Sequence, residues 1–174
     1  MEKLLRVMER ISTGGDRDLR QSLQTSKLEH MPPMSDTAIA EPAAVKDVCQ
    51  RWGKAWNDHD GDAVAALCSE DLVYDEPALG DTVHGRDAIR DFVVMLDVSF
   101  PDHKFFLEGL FADVARPAVL VAWRFIGTHA PTGRKVEFHG DDRLEFREDG
   151  LIGAYRCLYD NEFVLRQVGE NRSR

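Results

Sequence analysis

The sequence is short of cysteine, short of positive charge and without any long apolar run, and each shortage excludes something. Its three cysteines, Cys49, Cys68 and Cys157, are odd in number and far apart. With no C-x-x-C spacing they indicate neither a disulfide framework nor a zinc knuckle. Lysine and arginine number 22 against 31 aspartates and glutamates, giving a net charge of −9 and a pI near 5.1. A chain with no basic face does not bind the phosphates of nucleic acid or an anionic membrane. No segment approaches the length of a membrane span, and the N-terminal MEKLLRVMERISTGGDRD contains no uninterrupted apolar run of signal-peptide length. The expectation is a soluble, cytoplasmic protein with reduced thiols.

What is present suits one domain with an appendage: 174 residues, of which 43% are hydrophobic. Residues 1–40 read as a tail. Leu4, Leu5, Val7, Met8 and Ile11 could form a short amphipathic helix, but Gly14-Gly15, a polar run and Pro32-Pro33 interrupt regular structure. A domain is expected over 41–170. Val45, Val48, Cys49, Trp52, Ala55 and Trp56 recur at helical spacing, and Asp60 is a fair N-cap for a second helix carrying Val64, Leu67 and Cys68. A short strand over 72–76 ends at Pro77, and a third helix after Gly85 presents Ile89, Phe92, Val93 and Leu96. Strands are then predicted over 105–112, 118–129, 136–146 and 152–160, the last pair joined by a two-residue turn at Asp149-Gly150. Helices first and a meander after predict an α+β domain, with the helices packed on the concave face of a curved, mainly antiparallel sheet.

One residue breaks the pattern. In the strand over 136–146, alternation puts Val136, Phe138, Gly140, Asp142, Leu144 and Phe146 on one face, and Glu137, His139, Asp141, Arg143 and Glu145 on the other. Asp142 is the one ionisable group on the apolar face. A buried carboxylate costs several kcal/mol unless it is paired or protonated, so it is either a satisfied core acceptor or a carboxyl held neutral to donate a hydrogen bond. If residues 131–134 form the loop, Trp123 lies opposite Asp142 and Phe125 opposite Gly140. If Asp149-Gly150 is the turn, Cys157 lies opposite on the other side, with Tyr155 and Tyr159 diagonal to it. A slip of one residue would instead turn Ala154, Arg156 and Leu158 inward.

The stretches VCQRWGKAWNDHDGDAVAALCSEDLVYDEP, HGRDAIRDF and DDRLEF resemble bacterial ketosteroid isomerase, of the NTF2-like/SnoaL-like superfamily, over roughly residues 45–165. The resemblance implies the NTF2-like cone. It places Glu76 where the family has its catalytic base and Asp142 where it has a protonated oxyanion-hole acid. Trp52 stands where the family has its oxyanion-hole tyrosine; its indole N–H can also donate. Gly127-Thr128-His129, Asp142 and the closing run from Asp160 to Gly169 resemble the SnoaL polyketide cyclases, which would make His129 a pocket histidine. The hairpin pairing, however, sets His129 about 20 Å along the strand from Asp142, at the pocket mouth. Limonene epoxide hydrolase is disfavoured, since its Arg-x-Asp pair and second aspartate would fall on Trp123, Phe125 and Cys157.

Trp56, Tyr74, Trp123, Phe125, Phe138, Tyr155, Cys157 and Tyr159 are expected to line a pocket for a flat hydrophobic ligand. His59, His84, His103 and His139 read as loop or solvated residues without metal-ligand spacing, so no metal is expected. Cys157 reads as a small core residue rather than a nucleophile. The function expected is that of a cofactor-free acid/base enzyme on a hydrophobic carbonyl compound. Glu76 would abstract an α-proton, and Asp142, helped by Trp52, would hold the enolate. Aldol cyclisation is one alternative; a non-catalytic binding or dimerisation module is another. A homodimer through the outer sheet face is also expected.

Overall fold

The computed structural model describes residues 42–113 and 115–169, with side chains from residue 46 onward. The expectations for residues 1–40 and for the Val45 side chain lie outside the described residues. The described residues belong to one compact unit. Its elements are α1 (Pro42–Asn57), α2 (Gly61–Ala66), β1 (Cys68–Asp75), β2 (Val83–His84), α3 (Arg86–Ser99), β3 (Lys104–Ala112), β4 (Ala118–His129), β5 (Arg134–Phe146), β6 (Ile152–Leu158) and α4 (Asn161–Val168). The strands make one six-stranded sheet in the order β2-β1-β6-β5-β4-β3. All its pairings are antiparallel except that of β1 with β6, which runs parallel. No helix among the described residues is long and apolar enough to cross a membrane.

The helices cover one face because their stripes leave no other solution. Cys49, Trp52, Ala55 and Trp56 of α1 and Ile89, Phe92 and Val93 of α3 are buried, meeting Val119, Val121, Trp123 and Phe125 of β4 and Val136 and Leu144 of β5 in one cluster. Asp60 caps α2 as expected, its carboxylate accepting from Ala63 N–H at 2.9 Å.

Several expectations are corrected. Cys68 begins β1 rather than ending α2, because it pairs with Ile152 of β6 and the Leu67 carbonyl accepts from Ile152 N–H. Helix α4 was not expected, although its signals are in the sequence. The Asp160 side chain accepts from Phe163 N–H, and Gly169 closes the helix in the left-handed conformation with φ 94. The β4–β5 register differs by two residues from the expectation. His129 pairs with Arg134, so residues 130–133 form the loop, Val121 lies opposite Asp142 and Trp123 opposite Gly140. An even shift keeps every side chain on its expected face, and Trp123 becomes a diagonal neighbour of Asp142.

The β5–β6 hairpin reaches the expected register by two deviations that cancel. The loop is one residue longer than a two-residue turn, with Arg147 N–H donating to the Leu151 carbonyl. An irregularity at Gly153 then restores the count, so Cys157 pairs with Asp142 and Tyr155 with Leu144.

Candidate active site

Three adjacent strands bring the two inward carboxyl groups onto one line. Tyr74 pairs with Tyr155 in the parallel β1–β6 ladder, and two residues further on Glu76 comes beside Cys157. Cys157 in turn pairs with Asp142. Glu76 and Asp142 are thus two strand spacings apart, roughly 9.6 Å between backbones, with a thiol between them. Their exposures are 4% and 2%. Pro77 ends β1 at this point, and Glu76 caps its own turn: its carbonyl accepts from Leu79 N–H and its Oε1 from Ala78 N–H at 3.1 Å.

The two carboxyl groups differ in what faces them. Glu76 accepts three hydrogen bonds: from Tyr159 O–H at 2.5 Å and Ala78 N–H on Oε1, and from Tyr74 O–H at 3.3 Å on Oε2. Asp142 accepts one, from Tyr155 O–H at 2.6 Å on Oδ2, while its Oδ1 is buried with no partner among the described residues. Burial pushes Asp142 up to about 7, against the weaker opposing pull of Tyr155, Cys157 and Trp123, and the nearby Glu76 charge adds to the rise. Burial also raises Glu76, and its donors oppose that rise. Three donors favour an ionised carboxylate; one donor in an apolar wall favours a neutral acid. Burial likewise lifts the Cys157 thiol well above its ordinary range, disfavouring a thiolate nucleophile.

Trp52, Trp56, Tyr74, Trp123, Phe125, Phe138, Tyr155, Cys157 and Tyr159 line one cavity together with Glu76 and Asp142. Phe92, Leu96 and Phe105 complete the wall. The first two of these are the lower end of the α3 stripe at i, i+4 spacing. The open volume is small, about 40 Å³, room for about three waters. Leu96, Phe105, Phe138 and Tyr159 are half-buried and form the rim. Trp52 does not reach Asp142 through a hydrogen bond. Its ring packs on Tyr155 at 6.3 Å, and Tyr155 is the group that touches the carboxyl. The ring nitrogens of Trp52, Trp56 and Trp123 are buried without an acceptor among the described residues.

His129 is not brought to the cavity. It packs on Phe100 and meets the Thr132 hydroxyl at 2.9 Å in the β4–β5 loop, because it ends the strand four pairs beyond Val121 on the same face. His103 is fully buried, not solvated as its sequence context suggested, and its ring stacks on His59 at 4.0 Å. With Asp97 these residues place three possible ligand atoms within 4.8 Å of one another. Parallel rings cannot both hold one ion in their planes, and the His59 nitrogens already face Asp97 Oδ1 at 2.6 Å and the His103 carbonyl at 3.2 Å. The cluster therefore reads as a brace between the α1–α2 turn and the α3–β3 connection. A larger crevice of about 430 Å³ lies beside α2 and the start of α3. Its charges are exposed and paired with one another, Arg86 with Glu70 and Arg90 with Asp62, so it offers no comparable chemistry.

Gly140 is where backbone and cavity wall meet. A Cβ there would overlap Cη2 and Cζ2 of Trp123 and come within 3.0 Å of the Leu158 carbonyl. Gly140→Ala is expected to lower stability by about 1–3 kcal/mol and to tilt the Trp123 ring. Urea unfolding and near-ultraviolet circular dichroism would show both, and an unchanged midpoint would contradict this packing.

Helices over the concave face of an open curved sheet, with inward carboxyl groups in an aromatic cavity, define a protein of the NTF2-like fold. Within it, the chain belongs to the SnoaL-like domain family, whose model matches residues 49–155. Three solved structures illustrate the likeness. A hypothetical protein from Catenulispora acidiphila with a ketosteroid isomerase-like fold, in complex with trimethylamine, is 19% identical with a TM-score of 0.65, covering 72% of this chain and 95% of that one. A putative polyketide cyclase from Xanthomonas campestris is 21% identical with a TM-score of 0.63, covering 73% and 98%. A putative isomerase from Bacillus subtilis is 18% identical with a TM-score of 0.66, covering 74% and 95%. At these identities the likeness extends to the fold. No curated protein matches the sequence.

Proposed function

We propose that the protein is a cofactor-free acid/base enzyme that moves a proton α to the carbonyl of a hydrophobic substrate through an enolate. The observation that carries this reading is the unequal hydrogen bonding of the two carboxyl groups: Tyr159, Ala78 and Tyr74 lie within hydrogen-bond distance of Glu76, and Tyr155 alone of Asp142. Glu76 is the base and takes the α-proton. Asp142, neutral below about pH 7, donates from Oδ1 to the carbonyl oxygen as negative charge develops there. Tyr155 fixes the orientation of Asp142, and Tyr74 and Tyr159 hold Glu76. Return of the proton at another carbon gives isomerisation. Attack of the enolate on a second carbonyl gives aldol cyclisation, the alternative suggested by the likeness to a putative polyketide cyclase.

A ring-sized ligand needs more than the open 40 Å³, so binding turns the half-buried rim side chains outward. The same reading includes a homodimer through the outer sheet face, where Phe106 and Phe111 are exposed beside the Arg124–Glu137 ion pair. Phe111→Asp should then lower the mass found by sedimentation equilibrium, and an unchanged mass would exclude that face. The three unpaired thiols fit a cytoplasmic setting.

The experiment for the catalytic reading is α-proton exchange in D₂O, followed by proton NMR on a panel of steroid, terpenoid and aromatic ketones near pH 6. Exchange well above the buffer rate for at least one class is expected. Buffer-rate exchange throughout would overturn the reading.

A further inference from the structure

Resting on the proposed role of Glu76 as the base, the placement of its donors says when that base can act. Both oxygens of Glu76 are engaged, and the shortest bond, 2.5 Å from Tyr159 O–H, falls on Oε1 beside that of Ala78 N–H. Burial and the neighbouring Glu76 charge keep the Tyr159 hydroxyl protonated, so it is the donor. Each donor favours the charged form and makes the carboxylate a weaker base. Proton abstraction also needs a lone pair, and an oxygen that accepts two hydrogen bonds has none to spare.

Tyr159 is also the rim residue least held by the backbone. Leu96, Phe105 and Phe138 stand on α3, β3 and β5, whereas Tyr159 lies in the two-residue link between β6 and α4 and makes no ladder pair. Besides its hydroxyl bond, it has ring contacts with Phe138 at 5.0 Å and Trp123 at 6.3 Å, which a flat apolar ligand replaces in kind. We infer that Tyr159 is a latch on the base. A ligand too large for the open 40 Å³ displaces its ring, strips the hydroxyl from Glu76 and meets the lone pair that the hydroxyl leaves. The other ionisable groups around Glu76 are Tyr74 on its own strand, Cys157 on β6 and Asp142 on β5. All three are buried away from the rim, and α1 and α3 bring no ionisable side chain to the cavity. Tyr159 is thus a positioning residue that keeps the base weak until a ligand enters.

The test uses full-length protein ¹³C-labelled at the glutamate side-chain carboxyl, with the Glu76 resonance identified by its loss in Glu76→Gln. The probe is coumarin, a neutral, flat compound with no enolisable carbon. Saturating coumarin should move the Glu76 titration to higher pH. Tyr159→Phe, which keeps the ring but removes the O–H, should move it the same way with no ligand added, and coumarin should then add little. The variant should also bind coumarin about tenfold more tightly, because the ligand no longer breaks a hydrogen bond to a charged group. In the wild-type protein, no coumarin binding, or a Glu76 titration left in place or lowered by coumarin, would overturn the inference without relying on the variant. An equal coumarin-induced rise in Tyr159→Phe, which burial alone would produce, would overturn it as well. Neither readout needs turnover, so the two proposals fail separately. A latch that responds to coumarin in a protein that exchanges no α-proton removes the catalytic reading alone. Exchange in a protein whose Glu76 titration ignores coumarin removes this one alone.

Discussion

Replacing Glu76 with glutamine is expected to slow α-proton exchange by roughly 10²- to 10⁴-fold while leaving the fold intact. The amide keeps the shape of the carboxylate, and its oxygen can still accept from Tyr159 O–H and Ala78 N–H, which both converge on Oε1. On the other side the new NH₂ can donate to the Tyr74 oxygen in place of accepting from it. What disappears is the lone pair that receives the substrate proton. A thousandfold loss corresponds to about 4 kcal/mol of transition-state stabilisation, far more than a change in wall packing would produce. Exchange within a factor of a few of wild type, in a variant with an unchanged melting curve, would show that Glu76 is not the base.

Asp142→Asn should make the protein more stable at neutral pH and less so, relative to wild type, as the pH falls. The sign follows from the direction of the shift. The carboxyl rises from an ordinary 3.8 to about 7 on folding, so the folded state holds a proton that the unfolded chain gives up. Below about pH 4 both states are protonated and the group contributes nothing. Between pH 4 and pH 7 wild-type stability falls as pH rises, and above pH 7 the full penalty remains. A rise from 3.8 to about 7 corresponds to an upper limit of roughly 4 kcal/mol. Asparagine carries no such penalty and can still accept from Tyr155 through its amide oxygen. Urea unfolding of both proteins from pH 4 to pH 8 reads the difference directly; an advantage for wild type that grows with pH would contradict a buried neutral acid. In the exchange assay the same group predicts a fall in wild-type rate above pH 7, as the donor proton is lost. That limb should be absent from the asparagine variant.

Much of this site was legible before the structure. Asp142 was visible through strand parity, Glu76 through the family resemblance, and the Asp142–Cys157 pairing through turn arithmetic, although the last needed a longer loop and a compensating irregularity at Gly153 to come true. His103 was not legible. Its neighbours Pro101, Asp102 and Lys104 are exposed, and only the stacking of His59 and Phe125 on its ring shows that it is buried. Nor was His129 separable from the cavity by parity alone, since it shares the inward face with Trp123 and Phe125 and differs only in distance along the strand.

The sequence by itself determined the α+β class and which faces of β4 and β5 turn inward, because a period of two survives any even error in register; the face of β6 stayed open to a one-residue slip. It also determined that one acid would be buried on β5. Only the tertiary structure decided the partners of that acid and of Glu76. Tyr155 is joined to Asp142 across the β5–β6 ladder, while Tyr159 reaches Glu76 from 83 residues away along the chain. The protonation of a buried carboxyl depends on the donors around it, and the one that comes to Glu76 from far along the chain, Tyr159, arrives through the parallel β1–β6 pairing. Local periodicity carries no information about such a pairing. The Asp142 carboxyl on an apolar face was therefore a property of one strand, whereas its protonation is a property of the folded neighbourhood.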